Sequence, residues 1–151
     1  MNIRSFFLTS FLSLAVLGSL SAVASDTKAV NISAFDTMKF SVTSIEAHPG
    51  EKVSVTLKNQ GNLPKEAMGH NWVLLTAGTD PNAYARLAMN AKADNYQPKS
   101  LAGRVIAAIP VLGPQESGSV TFTAPSAGSY PFLCSFPAHC GAGMHGVLIV
   151  K

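Results

Sequence analysis

Apolar and polar residues alternate with a period of two along most of this chain, and that alternation predicts strands with one buried face. Val53-Ser-Val-Thr-Leu57 is the cleanest case, with three branched apolar side chains on one face and Ser54, Thr56 and Lys58 on the other. Residues 29–35 alternate in part, and residues 38–45 continue in the same manner. His48-Pro49-Gly50 then reverses the chain, because Pro fixes φ and Gly accepts a positive φ. Further strands are expected at Trp72-Val-Leu-Leu75, at 104–109 with an end at Pro110, at 119–123, at 130–134 and at 146–150. The period changes once. Asp80-Pro81 is a helix start, and Tyr84, Leu87, Ala88 and Ala91 fall at i, i+3, i+4 and i+7, so one short helix with an apolar stripe is expected there. Residues 59–64 and 94–103 read as loops. Seven to eight short strands with regular turn signals and a single helical insertion are the signature of an all-β, Greek-key β-sandwich.

Composition narrows the picture. In 151 residues, 47% hydrophobic and only 13% charged, there is room for a real core and no case for disorder. Residues 1–24 stand apart: Arg4 is a short basic start, residues 6–20 are mostly apolar, and Ala22-Val23-Ala24 is a small-residue cleavage site. This reads as a signal peptide, with cleavage between Ala24 and Ser25, one domain over 25–151, and an exported, periplasmic destination. Removing Arg4 lowers the formal charge from +3 to +2, and the remaining basic residues are scattered singly, so no nucleic-acid footprint is present. Between Glu116 and Lys151 there is no charged side chain at all.

That uncharged segment holds the candidate chemistry, in Cys134-Ser-Phe-Pro-Ala-His139-Cys-Gly-Ala-Gly-Met144. A thiolate and an imidazole close to copper, with a thioether at longer range, describe an electron-transfer centre that needs a second imidazole from elsewhere. His70, in Met68-Gly69-His70-Asn71-Trp72, is the candidate. Cys134 and Cys140 have another use, because two cysteines in an exported chain commonly form one disulfide, and a turn can bring them within bonding reach. Such a bond would consume the thiolate. His48 reads as a solvated turn residue, His145 as surface, and Met38, Met68 and Met89 as packing.

Asn62-Leu-Pro-Lys65 followed by Met68-Gly-His-Asn-Trp-Val73, together with Cys134-Ser-Phe-Pro-Ala-His139, resembles the cupredoxins, and specifically the azurin- and auracyanin-like blue copper proteins. The resemblance covers essentially the whole chain after residue 24. It implies one type 1 copper bound by His70, Cys134 and His139, with Met144 a weak axial ligand and the Gly69 carbonyl opposite. It also implies that Asn71 ties the two ligand segments together near the thiolate. The implied function is single-electron shuttling by Cu(I)/Cu(II) cycling, by a monomer that is not an enzyme. Its partners would be redox proteins such as a c-type cytochrome or a reductase, docking near Phe136, His139 and Met68. Azurins place three residues between the second histidine and the methionine, whereas here Cys140-Gly-Ala-Gly143 makes four, a spacing closer to auracyanins. The disulfide near the azurin N-terminus has no counterpart, and Cys140 is an additional thiol. Copper storage or delivery, and a metal-free β-sandwich module stapled by Cys134 and Cys140, are the competing functions.

Overall fold

The computed structural model describes residues 27–151, so the signal segment expected over 1–24 and its expected cleavage point lie outside the described residues. Nine strands and two α-helices follow in the order β1 (Lys28–Phe35), β2 (Lys39–Phe40), β3 (Ser44–Ala47), β4 (Lys52–Asn59), α1 (Lys65–Met68), β5 (His70–Leu75), α2 (Pro81–Ala88), β6 (Val105–Leu112), β7 (Ser117–Thr123), β8 (Gly128–Leu133) and β9 (His145–Val150). Two 3-10 helices, Lys92–Asp94 and Lys99–Arg104, complete the insertion between β5 and β6. Among the described residues no helix is long and apolar enough to cross a membrane.

One sheet has the order β2-β1-β4-β7 and the other β3-β9-β8-β5-β6; β1 pairs parallel with β4 and β3 parallel with β9. The inward faces meet in one core. Alternation is best kept in β4, where Val53, Val55, Leu57 and Asn59 all point inward and are essentially unexposed. Asn59 is tolerated there because its amide donates to the Leu112 carbonyl and accepts from the Gly61 N–H. All six residues of β5 are buried, and Trp72 packs against Phe122 of the opposite sheet and Phe132 of β8. A strand with both faces covered shows an unbroken apolar run rather than alternation.

The structure departs from the sequence pattern at three places. Residues 38–45 are not one strand: Met38 turns at φ 56°, β2 ends at Phe40, and the chain crosses to the other sheet before β3. Both halves keep one buried face, which is why the alternation survives the crossing. Pro110 does not end its strand; β6 runs on to Leu112. This strand is the sheet edge, and the register against β5 slips between Trp72↔Ile109 and His70↔Leu112, so the exposed Pro110 sits in a bulge that requires no N–H from it. The helix also stops at Ala88, which leaves Ala91 beyond it and Leu87 60% exposed; Tyr84 and Ala88 alone are buried. Its start is as expected, with Asp80 accepting from the Asn82 N–H and Pro81 in the first turn.

Candidate metal centre

His70 opens β5 directly after α1, and the bulge opposite it re-aims the first turn of the strand. Gly69 makes that junction possible: a Cβ there would lie 2.5 Å from Val111 Cγ1 and 2.6 Å from the Lys65 carbonyl oxygen. From the other side, β8 ends at Leu133, and residues 134–144 form a loop that returns into β9. The loop closes on itself through the Cys134 N–H to the Met144 carbonyl (3.0 Å) and the Met144 N–H to the His139 carbonyl (3.0 Å). Gly143, at φ 93°, supplies the left-handed turn that brings Met144 back. The backbone thus gathers Cys134, His139 and Met144 with no contribution from a disulfide. Cys134 and Cys140 are both free and buried, which overturns the stapled arrangement.

The donor atoms converge. His70 Nδ1 lies 3.2 Å from His139 Nδ1, and Cys134 Sγ lies 3.4 Å from that same nitrogen. One donor atom from each of the three residues falls within 4.8 Å of the others, and the residues are 0%, 2% and 0% exposed for His70, His139 and Cys134. Nitrogen and sulfur donors held about 2.0–2.3 Å from a common ion stand roughly 3.5–4 Å from one another, which is close to this spacing. Two imidazole nitrogens facing each other in a dry site repel unless a proton or a cation lies between them. The donor set therefore fits an ion that takes thiolate and neutral imidazole. Met144 is fully buried beside it, and His70 Nε2 is a buried nitrogen without a hydrogen-bond partner among the described residues.

Burial keeps the imidazoles neutral. It lowers His139 from 6.5 to about 4, with the neighbouring His70 adding to the effect, and it lowers His70, opposed by Asp36 and by the backbone of Phe35. The Cys134 thiol is pushed up to about 12 by desolvation, although backbone N–H groups of Asn71 and Phe136 favour the thiolate. A metal-free site thus holds a protonated thiol, and a bound cation would supply the charge that ionises it.

Asn71 ties the ligand segments together: its Oδ1 accepts from the Ser135 N–H at 2.7 Å, and its amide nitrogen donates to Ser135 Oγ at 2.8 Å and to the Asn95 carbonyl at 3.0 Å. Phe136 lies against the His139 ring, centroids 4.8 Å apart, and is itself only 7% exposed. His145 is on the surface, His48 bonds the Lys151 carbonyl, and neither belongs to the cluster. Cys140 points toward Asn82 of α2 at 3.5 Å, and it is not among the three clustered ligand residues. Sequence reading passed over Lys39, whose ammonium donates to the Ala142 carbonyl at 2.6 Å and fastens the ligand loop to the opposite sheet. An exposed lysine in an alternating strand carries no local signal for such a contact.

Known proteins are similar to this chain in sequence and in fold. The family described as copper binding proteins, plastocyanin/azurin family, matches residues 27–151. Azurin of Bordetella pertussis is 43% identical over 123 residues, covering 79% of this chain and 81% of that protein. The structure of a dithionite-reduced auracyanin from Roseiflexus castenholzii superposes with a TM-score of 0.73 at 32% identity, over 82% of this chain and 97% of that one. Auracyanin A of Chloroflexus aurantiacus, described as a "blue" copper protein, gives 0.73 at 30% identity, over 83% and 100%. On its match over residues 27–151 and its identity to azurin, the chain belongs to the copper-binding plastocyanin/azurin family.

Proposed function

We propose that this protein carries single electrons on one copper ion, which His70 Nδ1, Cys134 Sγ and His139 Nδ1 would hold, with the Met144 thioether and the Gly69 carbonyl as weaker ligands. The observation that carries the reading is the convergence of two imidazole nitrogens and one thiol sulfur within 4.8 Å in a site closed to water. When bound, the ion supplies a Cu(I)/Cu(II) couple to which thiolate covalency and a weak thioether contact are suited. The residues do the rest. The closed loop and the Asn71–Ser135 bonds fix the donors before any ion arrives, so little rearrangement accompanies a change of charge. Apolar surroundings without a charged side chain between Glu116 and Lys151 disfavour the higher charge state and raise the potential.

The domain runs from residue 25, after a signal peptide that directs export to the periplasm. Electrons leave through the surface over His139, where Ala138 is exposed, Met68 and Pro137 are half-buried and Phe136 forms the backing. Brief docking of a redox protein, a c-type cytochrome or a reductase, suits an apolar face with few charges. A storage or delivery role calls for exposed, exchangeable ligands, and the buried set here argues against it.

The test is addition of Cu(II) to the purified metal-free protein. An intense visible thiolate-to-copper band is expected, lost in Cys134→Ser and kept in Cys140→Ser. A wild-type protein that stays colourless, or a band lost equally in both variants, refutes the ligand assignment.

A further inference from the structure

Asn95 and Tyr96 both adopt the left-handed backbone, at φ 55° and 57°. Asn visits that region readily, but for a bulky residue such as Tyr it is an outlier, one that persists where the surroundings over-determine it. The surroundings here are Asn71 and the two residues that follow Cys134. Ser135 Oγ donates to the Tyr96 carbonyl at 2.6 Å, and the Asn71 amide donates to the carbonyl of Asn95 at 3.0 Å. On the side-chain end, the Tyr96 ring meets the Phe136 ring edge-on, with centroids 5.0 Å apart at 65°. Phe136 in turn lies against His139, and His139 against His70 at 4.9 Å. Tyr96 therefore grips Ser135 by its carbonyl and Phe136 by its ring, from a segment that is 39 positions away in sequence. Asn71 and Ser135 are wholly buried, so no water replaces a broken link. Without the two successive left-handed residues, the carbonyls of 95 and 96 would not face these donors.

We propose that Tyr96 is a positioning residue for the metal centre, holding Ser135 and Phe136, and through them Cys134 Sγ and His139 Nδ1, in the convergent arrangement. The inference rests on the ligand assignment above, yet its first test needs no metal. Amide hydrogen exchange of the metal-free protein is compared for wild type, Tyr96→Ala, Tyr96→Phe and Leu101→Ala, a half-buried residue of the same insertion. In Tyr96→Ala the Ser135 and His139 amides should exchange at least about tenfold faster than any change shared by sheet amides such as Val55. Tyr96→Phe keeps ring and backbone and should stay within about twofold of wild type. Loaded with copper, Tyr96→Ala should shift the Cu(I)/Cu(II) equilibrium several-fold and Tyr96→Phe should not. Should Tyr96→Ala fail to fold, Tyr96→Leu, which keeps the backbone carbonyl but removes the ring that meets Phe136, is read at the same amides. The proposal is overturned if these amides speed up no more than the sheet, or if Leu101→Ala produces the same local excess. Failure of the wild type to take up copper would instead refute the ligand assignment and leave the exchange result standing.

Discussion

Acidifying the metal-free protein should cost stability in a range where carboxylates are still ionised. The groups responsible are the facing imidazoles, neither of which can take a proton without charging a dry site. His139 falls from 6.5 to about 4, first through burial and then through His70, and His70 is lowered by burial as well. A folded-state value below the unfolded one means that the unfolded chain binds the proton first. The stabilisation is thus complete above about pH 6.5 and is lost as pH falls toward 4. For His139 alone the full loss is about 3 kcal/mol, of which about 2 kcal/mol is gone by pH 5. Against a typical total of about 5–15 kcal/mol that is a large fraction. Glu46 and Glu116 also have lowered values, but starting from 4.5 they contribute losses only at more acidic pH. Urea unfolding followed by circular dichroism at pH 7 and pH 5 reads the effect. At a slope of about 2 kcal/mol per molar, the midpoint should drop by about 1 M. The double variant His70→Gln/His139→Gln should lose this dependence. Equal midpoints at the two pH values, or an undiminished drop in the double variant, would refute the reasoning.

Copper uptake at pH 7 should release about one proton per ion, because the Cys134 thiol is protonated and the imidazoles are already neutral; a pH-stat titration reads it, and no release would mean a preformed thiolate. Gly69→Ala should destabilise the protein by about 1–3 kcal/mol in thermal melts, since the Lys65 carbonyl that a methyl would strike belongs to backbone and cannot swing aside. An unchanged melting temperature would show that the junction yields. Leu148→Ala, in the core, should cost about 2–5 kcal/mol, whereas Leu87→Ala should cost little; equal losses would contradict the exposure of the helix.

What the sequence made legible was whatever a short window decides. Val53 to Leu57 and the run Trp72 to Leu75 declare their burial locally, and Asp80-Pro81 declares a helix start, so strands and insertion were readable. The ligand loop was readable for the same reason, since Cys134, His139 and Met144 share one turn. Pro110 misled because the cost of a missing N–H depends on whether the strand has a neighbour on that side, which only the sheet order settles. Residues 38–45 misled because alternation records that a face is buried, not which of two facing sheets it belongs to. Leu87 misled because an apolar residue at helical spacing needs something to pack on, and an eight-residue helix against β8 covers only Tyr84 and Ala88. Tyr96 and Lys39 gave no signal at all: one lies in a polar connection and the other on a solvent face, and each meets the ligand loop only once the chain has folded. Cys134, His139 and Met144 are thus encoded in one short stretch, with His70 supplied from β5, whereas the contacts that hold them still are encoded in topology. Substitutions in the insertion between β5 and β6 are accordingly where the properties of the centre can change while every ligand stays in place.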